Sequence, residues 1–276
     1  MPDGMENLIQ EFAPSRLVSP FVQSYWYGEF NRNEGAGIHR LVLPHGCIEL
    51  IIHLGSHHCT LLKDGKVWPC TPEFTLLGLH PKPYEVQFLN SVSVFAIRIY
   101  PDGFKNIFNA EPAELISTFE NGLDVLGIKI REFCLRIREL QDIDQRVAMA
   151  EAFILRQLNS HARAYDYTHL AMRAIRQQQG KIDYDMLRED VPISQRQLQR
   201  EFKKVYGLTI KDYMRILRMN AVLNYMSGPT IKLTELSHNH CFFDQSHFNK
   251  EFKHFVGLSP RQYLREQNQY ILNKGF

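Results

Sequence analysis

Two stretches of the sequence, 50 residues apart, carry similar sets of polar and basic side chains at helical spacing. Arginine, glutamine and asparagine present paired donors and acceptors that match guanine and adenine edges in the major groove of DNA. The residues are Gln195, Arg196, Gln199, Arg200 and Lys203 in the first stretch and Gln245, Ser246, Asn249, Lys250 and Lys253 in the second. One such face would ordinarily indicate a solvated helix surface, whereas two copies favour binding to double-stranded DNA.

The two stretches lie within a duplicated unit. Residues 194–213 and 244–263 are identical at seven of twenty positions, whereas chance would give about one or two. The identical pairs are Gln195/Gln245, Glu201/Glu251, Phe202/Phe252, Lys203/Lys253, Gly207/Gly257, Leu208/Leu258 and Tyr213/Tyr263. Repetition of this extent predicts that both copies form the same structure.

Each copy carries the signals that begin, bury and end a helix. Ser194 and Asp244 are N-cap residues that satisfy free amides at the helix starts. A glycine, Gly207 or Gly257, ends each helix in a left-handed conformation. The predicted buried stripes are Leu198, Phe202 and Val205 in the first copy and Phe248, Phe252 and Phe255 in the second. Short helices predicted at 184–189 and 233–239, with tight connections at 190–193 and 240–243, complete two helix-turn-helix units.

A long amphipathic helix is predicted between the copies, over residues 210–226. Its apolar face comprises Ile210, Tyr213, Met214, Leu217, Ala221 and Val222. A helix of this length spans about 25 Å. It is therefore a strut long enough to hold two recognition helices about one turn of DNA, roughly 34 Å, apart.

With these elements the sequence resembles the AraC/XylS-type transcriptional regulators of bacteria. The resemblance covers about residues 168–265 and is carried by residues 242–253, Gly257 to Pro260 and Tyr263, by the first copy, and by Arg215, Arg218 and Ala221. In that family two helix-turn-helix units enter adjacent major grooves. The resemblance implies that the reading positions are Arg196, Gln199, Arg200, Gln245, Ser246, Asn249 and Lys250.

The second turn departs from the family pattern at two positions. Cys241 stands where the family usually has glycine, and Ser237 where it usually has a small residue such as alanine. A positive φ angle at Cys241 would cost about 1 kcal/mol and change the angle between the helices. The departure concerns the DNA affinity of the second unit and not its fold.

The first part of the chain is typical of a β-rich domain. Strands are predicted at residues 48–54, 74–79 and 92–99, and Asp64-Gly65 predicts a tight hairpin turn within residues 61–68. Short strands separated by glycine and proline predict a β-sandwich or small barrel over residues 1–120. Residues 43–51 and 78–84 are similar, less specifically, to the cupin-like domains of one branch of the family. That resemblance implies a domain that senses small molecules or mediates dimerisation, usually without a metal.

Two amphipathic helices are predicted within residues 121–160. Their apolar stripes are Leu123, Leu126, Ile130, Phe133, Cys134, Ile137 and Leu140, and Val147, Ala150, Ile154, Leu155 and Leu158. The helices either cap the β domain or pair with a second subunit in a homodimer.

Together these elements predict an α+β fold class. It comprises a cupin-like β-sandwich or barrel, a helical segment, and an all-α domain of two helix-turn-helix units over residues 161–276.

The charge distribution agrees with this division. Residues 1–160 carry 14 Lys and Arg against 19 Asp and Glu, a net charge of −5, whereas residues 161–276 carry 18 against 11, a net charge of +7. The basic part is the one expected to meet a polyanion.

No apolar run approaches the roughly 18–20 residues of a membrane span, and the first residues lack a secretion signal. The five scattered cysteines are expected to be free thiols of a cytoplasmic protein.

Histidines in the β region leave one alternative function open. His39, His45 and Glu49 are the candidate ligands of a metal-dependent cupin-type enzyme, but their spacing does not show three or four ligands converging on one point. We therefore expect no catalytic residue, metal or cofactor. A protein whose repeat packs on another protein is a third interpretation. The favoured hypothesis is a sequence-specific DNA-binding regulator, controlled by a small molecule or a partner at its N-terminal domain.

Overall fold

The computed structural model describes residues 8–31, 38–56, 59–88, 90–160, 166–227, 242, 244–266 and 270–271. Two β-sheets make up the N-terminal part, and helices pack against them and continue through the C-terminal part. This is the predicted α+β fold class. Within the described residues, no helix is both long enough and apolar enough to cross a membrane.

The larger sheet is antiparallel and has six strands. They are β1 (Leu8–Phe12), β2 (Val22–Phe30), β4 (Ile48–His53), β7 (Phe74–Leu77), β9 (Val92–Ile99) and β10 (Phe119–Asn121), in the order β1-β2-β9-β4-β7-β10. Side chains alternate along β9, so that Val92 and Val94 lie between the sheets while Ile97 and Ile99 join the core shared with the helices. Both faces of this sheet are therefore covered.

The second sheet has five strands and closes the domain on one side. They are β3 (Ile38–Val42), β5 (Thr60–Lys63), β6 (Lys66–Trp68), β8 (Tyr84–Phe88) and β11 (Tyr270–Ile271), in the order β11-β3-β8-β5-β6. The predicted hairpin joins β5 to β6, with positive φ angles of 48° at Asp64 and 75° at Gly65. β11 comes from the C-terminal end of the chain, runs parallel to β3, and was not predicted.

The predicted strands are confirmed, but the sheet begins earlier in the chain than the sequence analysis placed it. β4, β7 and β9 lie at the three predicted positions, which were residues 48–54, 74–79 and 92–99. β4 and β7 end sooner than predicted, and β9 has the predicted bounds. β1 and β2 were missed, although Tyr25, Trp26 and Tyr27 are typical strand residues. β2 pairs with β9 along its whole length and so belongs to the centre of the domain.

Four helices follow the strands and cap the larger sheet. They are α1 (Pro101–Phe108), which was not predicted, α2 (Gly122–Leu126), α3 (Lys129–Glu139) and α4 (Ile143–Ser160). Ile130, Phe133 and Ile137 of α3, and Ile154 and Leu158 of α4, are buried in the same core as the sheet. These apolar stripes therefore cap the β domain, and pairing with a second subunit stays a prediction.

The C-terminal part contains α5 (Tyr167–Gln177), α6 (Tyr184–Asp190), α7 (Gln195–Tyr206), α8 (Ile210–Met226), α9 (Gln245–Val256) and α10 (Pro260–Glu266). α8 has the predicted bounds of the strut, and α6 ends one residue beyond its prediction. The helix predicted at 233–239 and the departures Ser237 and Cys241 lie outside the described residues, as does the connection 240–243 except for Phe242.

Apolar side chains of the first helix-turn-helix unit, α6 and α7, lie in the same core as those of the N-terminal domain, and the flanking helices α5 and α8 bond to that domain. Asp102 of α1 is buried, and its Oδ2 atom accepts a hydrogen bond from Nη2 of Arg176, on α5, at 3.0 Å. The same oxygen lies 3.2 Å from Nδ1 of His169. The Tyr213 hydroxyl of α8 donates to the Gly46 carbonyl at 3.2 Å. The position of this unit is therefore set by the N-terminal domain as well as by its own sequence.

Candidate nucleic-acid interface and ligand cavity

α7 is built as the sequence predicts for a recognition helix. The Ser194 hydroxyl accepts a hydrogen bond from the amide of Gln197, and Gly207 ends the helix with a φ angle of 74°. The buried stripe differs by one residue, because Tyr206 is buried where Val205 is only half-buried. The opposite face is free of the core and exposes every predicted contact residue: Gln195, Arg196, Gln199, Arg200 and Lys203.

α9 repeats this construction in the second unit. The Asp244 carboxylate accepts from the amide of His247 at 2.7 Å, and Gly257 ends the helix with a φ angle of 87°. Phe248, Phe252 and Phe255 are buried, as predicted. The exposed residues again include all those predicted: Gln245, Ser246, Asn249, Lys250 and Lys253.

The exposed face of α9 opens into a groove that continues onto α10. Gln245, Asn249, Lys250, Lys253, Ser259, Pro260 and Arg261 line the groove. Sequence reasoning missed Arg261, although its repeat partner Lys211 is also basic and exposed. The repeat at an offset of 50 residues was the signal that could have found both. Arg261 is therefore a further cation beside the predicted contact residues of the second unit, and Lys211 is its exposed equivalent in the first copy.

Two ion pairs involve equivalent glutamates of the two units. Arg200 pairs with its neighbour Glu201 on the surface of α7 at 2.9 Å. Glu251 of α9 instead pairs with Arg215 of α8 at 2.7 Å. The glutamate of the second unit thus ties α9 to the strut, whereas that of the first unit lies beside a predicted reading residue.

An apolar cavity lies between the two sheets of the N-terminal domain. Its lining comprises Trp26, Phe30, Val42, His45, Glu49, Ile51, His53, Cys59, Leu61, Thr71, Thr75, Leu77, Tyr84, Val86, Phe88, Val94 and Arg98. Its volume is about 60 Å³. Since a single water needs roughly 10–15 Å³, the cavity has room for a small organic molecule.

The polar end of the cavity is an internally paired network. Glu49 accepts hydrogen bonds from Trp26 and Arg98, and Arg98 also donates to Glu11. Burial opposes the charge of Glu49, but the neighbouring His45 and Arg98, together with the hydrogen bonds from Arg98 and Trp26, outweigh that cost and lower the pKa of the carboxyl group. Burial lowers the pKa of His45 to about 4. Near neutral pH the network therefore holds an ionised Glu49–Arg98 pair beside an uncharged imidazole.

The structure separates the candidate metal ligands. His45 and Glu49 are buried 3.7 Å apart, whereas His39 is exposed on β3. In the part of the chain that the structure describes, no three histidine, cysteine, aspartate or glutamate residues are grouped as metal ligands would be. The Glu49 carboxylate instead binds Arg98 and Trp26. Four of the cysteines, Cys47, Cys59, Cys70 and Cys134, are free thiols.

Comparison with known proteins identifies two domains in the chain. Residues 10–120 match a "domain of unknown function (DUF6597)", and residues 188–266 match a "helix-turn-helix domain". The second match begins within α6 and continues to the end of α10.

Curated relatives and solved structures are similar to the chain at low identity. The Msm operon regulatory protein of Streptococcus mutans is 27% identical over 121 residues, 43% of this chain and 44% of that protein. Invasion protein InvF of Salmonella typhi is 35% identical over 78 residues, 28% of this chain and 36% of that protein. The chain spans less than half the length of these relatives. The structure of ToxT from Vibrio cholerae O395 has a TM-score of 0.48 and 12% identity, over 87% of this chain and 97% of that one.

Proposed function

The chain belongs, by its helix-turn-helix domain, to the AraC/XylS-type transcriptional regulators, and we propose that it binds duplex DNA with both of its units. α7 and α9 are the recognition helices, and each enters a major groove. The observation that carries this proposal is the pair of matching exposed faces, because the same polar and basic residue types recur on both helices. The net charge of +7 over residues 161–276 supplies the attraction to phosphate.

The exposed residues divide into reading and anchoring positions. Arg196, Gln199 and Arg200 lie near the start of α7, where recognition helices meet base edges. Gln245, Ser246, Asn249 and Lys250 occupy the same region of α9. Lys203 and Lys253 lie further along and bind phosphate. On this assignment the first residues determine sequence preference, and the lysines contribute affinity without preference.

Selection of bound fragments from random DNA tests the assignment. Arg196→Ala or Gln199→Ala should weaken binding to the preferred site by about 1–3 kcal/mol. Each should also reduce the preference for one base at one position of that site. Lys203→Ala should weaken all sequences alike and reduce the log–log salt slope by about one. Gln197→Ala, which removes an exposed, uncharged side chain of α7 outside the proposed set, is the matched control.

The outcomes of this selection are distinct. If Arg196→Ala selects the same sequences as the unmodified chain, the reading face is wrongly assigned. If the unmodified chain binds no DNA at low salt, the proposal itself is wrong. The length and symmetry of the selected sites also report how many subunits bind and therefore test the predicted homodimer.

The cavity of the N-terminal domain is proposed as the site of an organic effector that controls a cytoplasmic regulator. Its apolar lining and enclosed position favour binding over catalysis, because the Glu49–Arg98 pair is already satisfied internally. Replacing His45 or Glu49 by alanine should alter ligand binding. Turnover of a substrate that disappears in either variant would instead establish the enzyme alternative.

A further inference from the structure

The two helix-turn-helix units are attached to the rest of the chain in different ways, as their cap glycines show. A Cβ atom added at Gly207 would lie 2.2 Å from a side-chain carbon of Ile116 in the N-terminal domain. A Cβ atom at the equivalent Gly257 would meet no described atom within 4 Å. The end of α7 is therefore packed against the N-terminal domain, whereas the end of α9 has no such neighbour among the described residues.

The C-terminal strand is the point at which the second unit meets the N-terminal domain. β11 follows α10 and lies at the outer edge of β3, with Tyr270 opposite Leu41 and Ile271 opposite Val42. Within the described residues this unit also contacts α8, through the Arg215–Glu251 ion pair and through the Arg218 guanidinium over the Phe242 ring, and its buried phenylalanines belong to the same apolar cluster as α8. β11 thus links the second recognition helix to the second sheet through main-chain pairing.

The strand that receives β11 is also a wall of the cavity. Val42 of β3 lines the cavity, and so does Tyr84, its partner on β8. Val42 is buried within the apolar cluster between the sheets. A molecule in the cavity therefore lies against the residue whose backbone pairs with Ile271.

We propose that β11 is a latch through which the contents of the cavity control the position of the second helix-turn-helix unit. This inference rests on the proposed DNA-binding function and adds a route for its regulation. A ladder of two residues can open and close without unfolding either sheet. A ligand that displaces β3 weakens or strengthens the pairing between β3 and β11, and so releases or retains α9. α7 stays packed on the N-terminal domain in both cases.

A double-mutant cycle tests the latch. Val42→Phe places extra volume in the cavity beside β11, and truncation after Glu266 removes the strand. The Kd for the DNA site selected by the unmodified chain is measured for all four combinations. We expect Val42→Phe to change the Kd at least about threefold in the full chain and by less than about 1.5-fold in the truncated chain. Equal fold-changes in both chains overturn the proposal.

A matched variant and a measurement without DNA complete the test. Val67→Phe makes the same change at an exposed residue of β6, in the same sheet but outside the cavity lining, and should change the Kd equally with and without β11. Val42→Leu replaces Val42→Phe if thermal unfolding shows that the larger residue prevents folding. Truncation should also speed hydrogen exchange at residues 41–42 about tenfold, and unchanged exchange rates contradict the latch.

Failure of the latch is distinguishable from failure of the proposed function. An unmodified chain that selects no DNA overturns both. If the unmodified chain binds its selected site, and Val42→Phe changes the Kd equally with and without β11, the proposed function stands and only the latch is overturned.

Discussion

The two helix-turn-helix units have the same internal construction and different surroundings. Phe202 and Phe252 occupy equivalent buried positions, and both recognition helices end at a glycine with a positive φ angle. Among the atoms that the structure describes, Gly207 packs closely against the N-terminal domain and Gly257 does not. The comparison shows that the duplicated sequence keeps the buried residues and helix caps that each unit needs to fold. Contacts outside the unit determine how freely each unit can move.

The largest expected effect comes from emptying the core of each unit. Phe202→Ala and Phe252→Ala should each destabilise the structure by about 3–5 kcal/mol, because each leaves a cavity where an aromatic ring was buried. We expect Phe252→Ala to speed hydrogen exchange mainly in α9 and α10, and Phe202→Ala to speed it in α1 as well. Loss of protection in the same segments for both variants would contradict the difference in attachment.

The cap glycines give the most direct comparison. Gly207→Ala and Gly257→Ala both place a side chain at a positive φ angle, which costs about 1–2 kcal/mol. Gly207→Ala should cost a further 1–3 kcal/mol or so, because its Cβ atom overlaps Ile116. Chemical denaturation of the two variants measures the difference. Gly207→Ala combined with Ile116→Ala is the control, since the smaller residue relieves the overlap.

Acid should weaken the N-terminal domain and its contact with the first unit. Burial lowers the pKa of His45 to about 4 and also lowers the pKa of His169. Since the unfolded chain then binds protons more readily, stability should fall as the pH drops below about 6.5, by up to about 1.4 kcal/mol per pH unit for each histidine. Thermal unfolding between pH 7.5 and 5 measures this loss, and His45→Gln should reduce it.

The smallest expected effect concerns one hydrogen bond between the strut and the β domain. Tyr213→Phe removes the hydroxyl that donates to the Gly46 carbonyl and should cost about 1 kcal/mol. Tyr167→Phe, at an exposed position on α5, should cost nothing measurable. Equal denaturation midpoints for Tyr213→Phe and the unmodified chain would show that this bond does not hold the two parts together.

Local sequence signals predicted the elements whose hydrogen bonds and apolar faces lie within a short stretch. Ser194 caps α7, Asp64 and Gly65 form the hairpin turn, and the strut has the predicted bounds. β2 and α1 were missed, although Pro101 and Asp102 at the start of α1 and Asn109 after its end are helix-boundary signals. Tertiary pairing with β9 makes β2 central. The roles of the exposed residues on α7 and α9 stay predictions.

The sequence by itself determined the duplicated unit, its caps and its exposed faces, because each depends on residues three or four positions apart on one helix. Only the tertiary structure decided which unit is packed against the N-terminal domain and where the cavity lies. Asp102 meets Arg176, and Tyr270 pairs with Leu41, across long separations in sequence. Such partners are selected by the way whole sheets and helices pack, and no local spacing records them.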